Sequence, residues 1–350
     1  MSEILIAQDA LTATVATIVR AAGSDQREAD LVATNLVAAN LAGHDSHGVG
    51  MLPRYIEVVL AGDLPPNQHP TIELDTGPLL RVNGNAGYGQ VIGMETMELG
   101  IARARQHGVC LVSLTNSHHL GRIGHWAEQC VAAGLVSVHF VNVLPRAIVA
   151  PFAGRDGRFS TNPFCVGIPL KDQPPFILDF ATSRIAAGKV RVAYNKGEAL
   201  EPETLLDAAG NPTTDPRNLV VEPLGALLPF GGHKGYGLAM ACELMAGAVA
   251  GGKTLNQSTS STRKQIINSM LSILIDPRIY GTQDVCAQQA AAFVEWVKAS
   301  PPREGQEVMI AGDPERRTKA RRGAQGIPVD ERTWEEIRAA GERVKVTIRN

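Results

Sequence analysis

The chain has 350 residues, 44% of them hydrophobic and 19% charged, with a formal net charge of -2. One compact core stops growing at about 250–300 residues, so two or three domains are expected and a single small domain is excluded. The near-balanced charge gives no electrostatic reason to expect nucleic acid or an anionic membrane, and a small molecule is the default partner.

The opening "MSEILIAQDALTATVATIVRAAGS" lacks the basic region and long apolar run of a signal peptide, and a cytoplasmic protein is expected. Ser24 is a candidate N-cap for a helix over "SDQREADLVATNLVAANLAG", which Gly43 stops. "PRYIEVVLAG" reads as a second helix, with Pro53 at its first position and Gly62 just past its end. Between them, "HDSHG" (44–48) is a polar loop on rigid flanks, open to three readings: a metal site, a catalytic site or a polar helix terminus.

After the proline-rich "DLPPNQHP" the periodicity changes, so a boundary is expected near residues 65–80. "VIGMETMELGIARARQHG" reads as a helix ending at Gly108, "VCLVSLTNS" as a buried strand, "IGHWAEQCVAAG" as a helix and "LVSVHFVNV" as a second strand, a βαβ-like succession. Shorter strands are expected in "FCVGIPL" and "PFILDFAT", and another in "SMLSILIDP". The glycine-led "GGHKGYGLAMACELMAGAVAGG" reads as a buried apolar helix, and Asp330 as the cap of a last helix. The five scattered cysteines, never spaced Cys-x-x-Cys, read as buried thiols.

No Gly-x-Gly-x-x-Gly opens a helix after a strand, and no P-loop motif occurs, so a Rossmann domain is not supported. "PFGGHKGYG" can still offer backbone amides and Lys234 to an anion, or serve close helix packing. Two of the nine histidines pair in "HDSHG" and two in "TNSHHLG", the latter just after a strand, where α/β sheets bind ligands. No His-Glu-x-x-His accompanies them, and no metal site is expected. Asp179, Thr182 and Ser183 suit capping or a ribose or carboxylate ligand, and "ERRTKARR" (315–322) suits either a cofactor phosphate or a solvated face.

In this order, "DSHG", "TNSHHLGRIG", "STNPFCVGIPL", "LDFATSRIAAGK", "LLPFGGHKGYGLAMACELMAG" and "AGDPERR" resemble the malate/L-lactate dehydrogenase family, and most its hydroxycarboxylate dehydrogenase branch. The likeness runs from about residue 10 to about residue 330. It implies a non-Rossmann α/β (α+β) fold: a nucleotide-binding domain around a mixed, largely antiparallel sheet, here 76–264, and a helical substrate and dimerisation domain from both chain ends, here 1–75 with 265–350. It also implies NAD or NADP as cofactor, a 2-hydroxy or 2-oxo acid as substrate, and a homodimer.

Carried over position by position, the resemblance puts Ser46 and His47 at the catalytic centre, with His119 beside nicotinamide and substrate. Thr161, Gly188, Lys189 and Arg54 fall on the substrate side; Asp179, Phe180, Ala181, His233, Lys234, Gly312, Asp313 and Arg316 fall on the cofactor side. His47 is expected as general acid/base with His119 as the competing choice. The sequence departs from the family at Met51, where many members carry an arginine that grips the substrate carboxylate; Arg54, Arg122, Arg146 and Arg184 are the candidate replacements. Ser160 replaces a usual glycine, and Lys189 stands where some cyclic-imine reductases have an aspartate. The rival functions are a histidine-dependent metallohydrolase, a cyclic-imine reductase and a non-catalytic binding protein.

Overall fold

The computed structural model describes residues 3–257, 265–281 and 283–348. Strand β1 (Glu3–Ile6) leads into helices α1 (Gln8–Ala21), α2 (Gln26–Leu41) and α3 (Leu52–Leu60). The cap of α2 is Asp25, which accepts from the Glu28 amide, and not Ser24. Ser24 Oγ is instead committed to the Glu28 carboxylate, 2.6 Å away.

Strands β2 (Thr71–Asp75) and β3 (Leu79–Asn83) form a hairpin, followed by α4 (Gly89–His107), β4 (Val109–His118), α5 (Gly124–Ala132) and β5 (Val136–Leu144). Gly108 stops α4 in the left-handed conformation that its missing side chain permits. Strands β6 (Phe164–Ile168) and β7 (Phe176–Phe180) come next. Helix α6 (Ala187–Lys196), strands β8 (Leu205–Leu206) and β9 (Pro212–Thr213), helix α7 (Arg217–Val220) and strand β10 (Ala226–Leu227) make a small annex with its own core around Val149, Phe159 and Val190. Helix α8 (His233–Cys242) runs into a π-helical turn, and β11 (Ile267–Ile275) follows. The chain finishes with α9 (Gln283–Lys298), α10 (Asp313–Gln325), β12 (Ile327–Asp330) and α11 (Glu331–Arg343), whose N-cap is Asp330 as expected.

The main sheet has the order β2-β3-β4-β11-β5-β6-β7, antiparallel except for β3 with β4. The expected βαβ unit is therefore split, because β11 is inserted between β4 and β5 and runs against both. Its near-continuous burial suits a central strand covered on both faces. Two segments that the sequence reading groups with the helical part, 71–75 and 267–275, thus lie in the sheet. Ile267 pairs with His118 on one side and Leu144 on the other, so β4 and β5 end together at one sheet edge.

A second core is helical and draws on both chain ends: Leu11, Ile18, Val32, Leu36, Leu52 and Ile56 pack with Ile327, Val329 and Ile337. Strand β12 pairs with β1, which closes the C-terminal segment onto the N-terminal helices. Two expectations of burial fail. Met240, Leu244 and Val249 leave the α8 segment exposed, at 36%, 48% and 63%, and Cys286 is exposed while the other four cysteines are buried. Among the described residues, no helix is long and apolar enough to cross a membrane.

Candidate active site

The "HDSHG" loop is a single 3-10 turn, Asp45–His47, held from two sides. From α2, Asn40 donates through Nδ2 to Asp45 Oδ1 at 2.6 Å and accepts the Val49 amide at Oδ1 at 2.7 Å. Gly48 lies so close beneath this amide that an added Cβ would fall 2.1 Å from Asn40 Oδ1, so steric contact, and not a special backbone angle, demands glycine there. From α10, Arg322 donates to both Asp45 oxygens and to the Asn40 carbonyl, while Glu315 meets His44 Nε2 at 3.2 Å. His44 and Asp45 are thus anchors. The basic run 315–322 is neither a solvated face nor a free phosphate site over its whole length: Arg317 pairs with Glu307, and Arg322 pins the loop.

That loop brings His47 against His119, which directly follows β4, with ring centroids 5.5 Å apart and planes 16° from parallel. Ser46 Oγ lies 3.1 Å from His47 Nδ1. Tyr55, buried in α3, places its hydroxyl 2.7 Å from His119 Nδ1 and receives a hydrogen bond from Gln90 Nε2 at 3.0 Å. With Gln90 donating to the phenol oxygen, the phenol proton points at His119 Nδ1, and the ring's own proton belongs on Nε2. His118 differs from its neighbour: it is fully buried, edge-on to Tyr55, and neither ring nitrogen has a hydrogen-bond partner among the described residues.

Burial, then the nearby charges of His44 and Arg122, pushes His47 down to about 4. Burial, then His47 and His118, holds His119 well below the ordinary imidazole value. Desolvation lowers His118 and His139 to about 3. The two stacked rings repel each other's protons, so they carry at most one positive charge at neutral pH.

The remaining motifs converge on the same region. Asp179, at the end of β7, accepts the Gly124 amide at 2.7 Å and so caps α5; burial raises its pKa, and Arg122 opposes the rise. The Thr161 carbonyl accepts from the Thr182 amide and hydroxyl. The Thr182 carbonyl accepts from the Phe230 amide, which fastens the residue 160–163 turn, the Ala181 segment and the start of α8 together. Phe180 meets Phe230 edge to face at 5.2 Å. Gly188 abuts Ser46, where an added Cβ would come within 2.9 Å of the Ser46 Cβ, and Lys189 beside it is exposed. His233 and Lys234 stand exposed at the N-terminus of α8, which no side chain caps.

Gly312, Asp313 and Arg316 lie along the edge of β7, where Ile177 donates to the Ala311 carbonyl and Arg316 to that of Pro175. Asp313 and Arg316 pair with each other, and Asp313 also with Lys298, so both are engaged within the chain. Arg54 pairs with Glu57 at 2.7 Å on the rim. Sequence reasoning missed Asn40, Tyr55, Gln90 and Glu243. The last is a buried carboxylate that accepts from Asn162, Asn142 and the Leu255 amide and braces the turn at Thr161. The available signal was a polar residue at a helix position that periodicity assigns to the core. Among the described residues no three His, Cys, Asp or Glu side chains gather where a metal ion can be held.

The geometry is that of a non-Rossmann α/β protein in which paired imidazoles sit where a helical core meets one end of a mixed sheet. A profile of the malate/L-lactate dehydrogenase family matches residues 6–338, and the chain belongs to that family. Hydroxycarboxylate dehydrogenase B of Escherichia coli O157:H7 is 49% identical over 93% of this chain and 91% of its own length. An L-lactate dehydrogenase of Cupriavidus necator is 38% identical over 91% and 92% respectively. The solved structure of delta1-piperideine-2-carboxylate reductase from Pseudomonas syringae pathovar tomato superposes with a TM-score of 0.86 at 30% identity, covering 96% of this chain and 99% of that one.

Two predictions test the construction of the site. Gly48→Ala displaces Asn40 and is expected to destabilise the protein by about 1–3 kcal/mol with loss of function; a melting temperature and activity like those of the wild type would contradict the Asn40 clamp. The second concerns pH. The five lowered histidines, His125 among them, bind protons more weakly folded than unfolded, where the value is about 6.5, so their contribution is complete above pH 6.5 and is lost as pH falls toward their folded values. The melting temperature is therefore expected to fall between pH 6.5 and 5, each histidine contributing about 1.4 kcal/mol per pH unit. His118→Phe, which removes one of them, should flatten that slope by about one proton, and an unchanged slope would refute the burial argument.

Proposed function

We propose that the chain interconverts a 2-hydroxy acid and its 2-oxo acid using NAD or NADP, with His47 as the proton carrier. The observation that carries this reading is the stacked His47–His119 pair, in which each ring has a different, fixed partner. The residues present suit a nicotinamide nucleotide. The N-terminus of α8 is free of side-chain caps and follows two glycines at positive φ, and exposed Lys234 stands at its start, a donor set for phosphate. His233, Asp179, Phe180 and Ala181 complete this wall, with Gly312, Asp313 and Arg316 at its outer end.

When bound, the nicotinamide accepts or returns the hydride at the alcohol carbon. The protein's task is the proton on the alcohol oxygen. For His47 to take it at Nε2, the ring proton must sit on Nδ1, and Ser46 Oγ is placed to accept that proton's hydrogen bond. His119, held by Tyr55 with its proton on Nε2, donates a hydrogen bond to the same oxygen and steadies its developing charge. The lowered pKa keeps His47 neutral, the form that accepts a proton during oxidation; 2-oxo acid reduction when reduced cofactor is abundant needs His47 protonated first. Thr161, Gly188, Lys189 and Arg54 line the substrate side, and the exposed Met240 and Leu244, four residues apart on one helix face, support pairing of two copies. The relatedness to a cyclic-imine reductase supports one second reading, reduction of a carboxylated cyclic imine.

A panel of 2-oxo acids and one cyclic imine carboxylate, run with NADH and NADPH, is expected to give turnover with a 2-oxo acid. No oxidation of either cofactor across the panel would overturn the dehydrogenase reading. His47→Asn should lower kcat by about 10²–10⁴-fold. It should also remove the acid limb that the wild type shows below its plateau in the oxidation direction, while His119→Gln keeps that limb. The reverse pattern would make His119 the proton carrier.

A further inference from the structure

The family's usual carboxylate grip is absent at Met51, a partly buried apolar side chain that packs against the helical core. The four arginines that could replace it differ in how they are engaged. Arg122 is buried, bonded to Glu128, and faces Asp179. Arg184 has Glu203 at 3.7 Å. Arg54 is held by Glu57. Arg146 has neither a hydrogen-bond nor an ion-pair partner among the described residues, and the same holds for Arg191.

Position agrees with availability. Ile267 lies between His118 and Leu144, so His119 and Arg146 leave the same sheet edge from strands two apart, about 10 Å at about 4.8 Å per strand. Arg191 stands three residues after Gly188 on α6, on the helix side that abuts Ser46. Arg146 and Arg191 are both exposed residues, yet burial and then the like charges of Arg191 and Arg54 hold the Arg146 guanidinium below the ordinary value, with Glu222 as the opposing acid. Arg54 also acts on His118, so its charge is felt both there and at Arg146. Guanidiniums from three separate elements thus act on one another near the end of the sheet from which His119 leaves, an arrangement that an anion relieves.

We propose that Arg146, supported by Arg191, is the carboxylate anchor of this cleft and takes the place of the arginine missing at Met51. This rests on the dehydrogenase reading for its substrate, though not for the anion seat itself. The carboxylate bound there sits next to the carbon whose oxygen faces His47 and His119, and its charge eases protonation of His47 for 2-oxo acid reduction.

The test measures binding apart from turnover. Oxamate, a 2-oxo acid mimic that is not reduced, is titrated calorimetrically into the full chain with and without NADH or NADPH. Wild type is compared with Arg146→Gln, Arg146→Lys and Arg191→Gln, and melting curves monitor folding. Arg146→Gln is expected to weaken oxamate binding about 10-fold or more and to raise KM for the 2-oxo acid similarly, leaving kcat within about 3-fold, with Arg146→Lys in between. Oxamate binding by Arg146→Gln within 2-fold of wild type, or no saturable binding by the wild type, overturns the proposal. Oxamate binding that depends on Arg146 in a protein that reduces no 2-oxo acid sinks the dehydrogenase reading and leaves the anion seat standing.

Discussion

Two imidazoles from distant parts of the sequence, stacked 5.5 Å apart, cannot both be protonated at neutral pH, and much of the surrounding structure holds them in that relation. Each ring is controlled by a different kind of partner. Ser46 is the immediate neighbour of His47 on a one-turn loop, whereas His119 answers to a buried phenol and amide from α3 and α4. This asymmetry separates a ring that changes its charge from a ring that keeps its proton. It also sets apart the two histidines of the 118–119 pair, since Tyr55 bonds His119 and merely abuts His118.

The constraint reaches the chain ends. A 3-10 turn is too short to hold its own geometry, so Asn40 grips it from the helix before it and Arg322 and Glu315 from a helix 271 to 277 residues later. The pairing of β1 with β12 keeps that late helix in place. Weakening the C-terminal segment therefore bears on the placement of His47 through the loop that it holds. On the opposite wall, the hydrogen bonds from Thr182 to Thr161 and from Phe230 to Thr182 join three motifs that are far apart in sequence into one surface.

Helix ends were legible in the sequence because glycine and aspartate act locally, as Gly108 and Asp330 show. The cap of α2 was misplaced by one residue because Ser24 and Asp25 both suit the role, and the choice depends on where Glu28 is buried. The position of β11 was not legible: an apolar strand declares its burial but not its neighbours, and insertion between β4 and β5 is settled by long-range pairing. His47, Ser46 and His119 could be named from motif order, yet Asn40, Tyr55 and Gln90 could not, since each sits at a core-facing helix position where an apolar residue is expected. The anchoring roles of His44 and Asp45 were hidden for a related reason, as their partners lie on α10.

The unequal imidazole pair is tested most directly by nitrogen-15 NMR of the histidine rings, recorded from pH 8 down to pH 4 on the wild type and on Tyr55→Phe. The account predicts that at pH 7 both rings are neutral, with His119 protonated on Nε2 and His47 on Nδ1. On acidification His47 takes up a proton before His119, near the value of about 4 that its surroundings impose, and Tyr55→Phe disturbs the His119 tautomer alone. Two charged rings at pH 7, or a proton reaching His119 first, would contradict it.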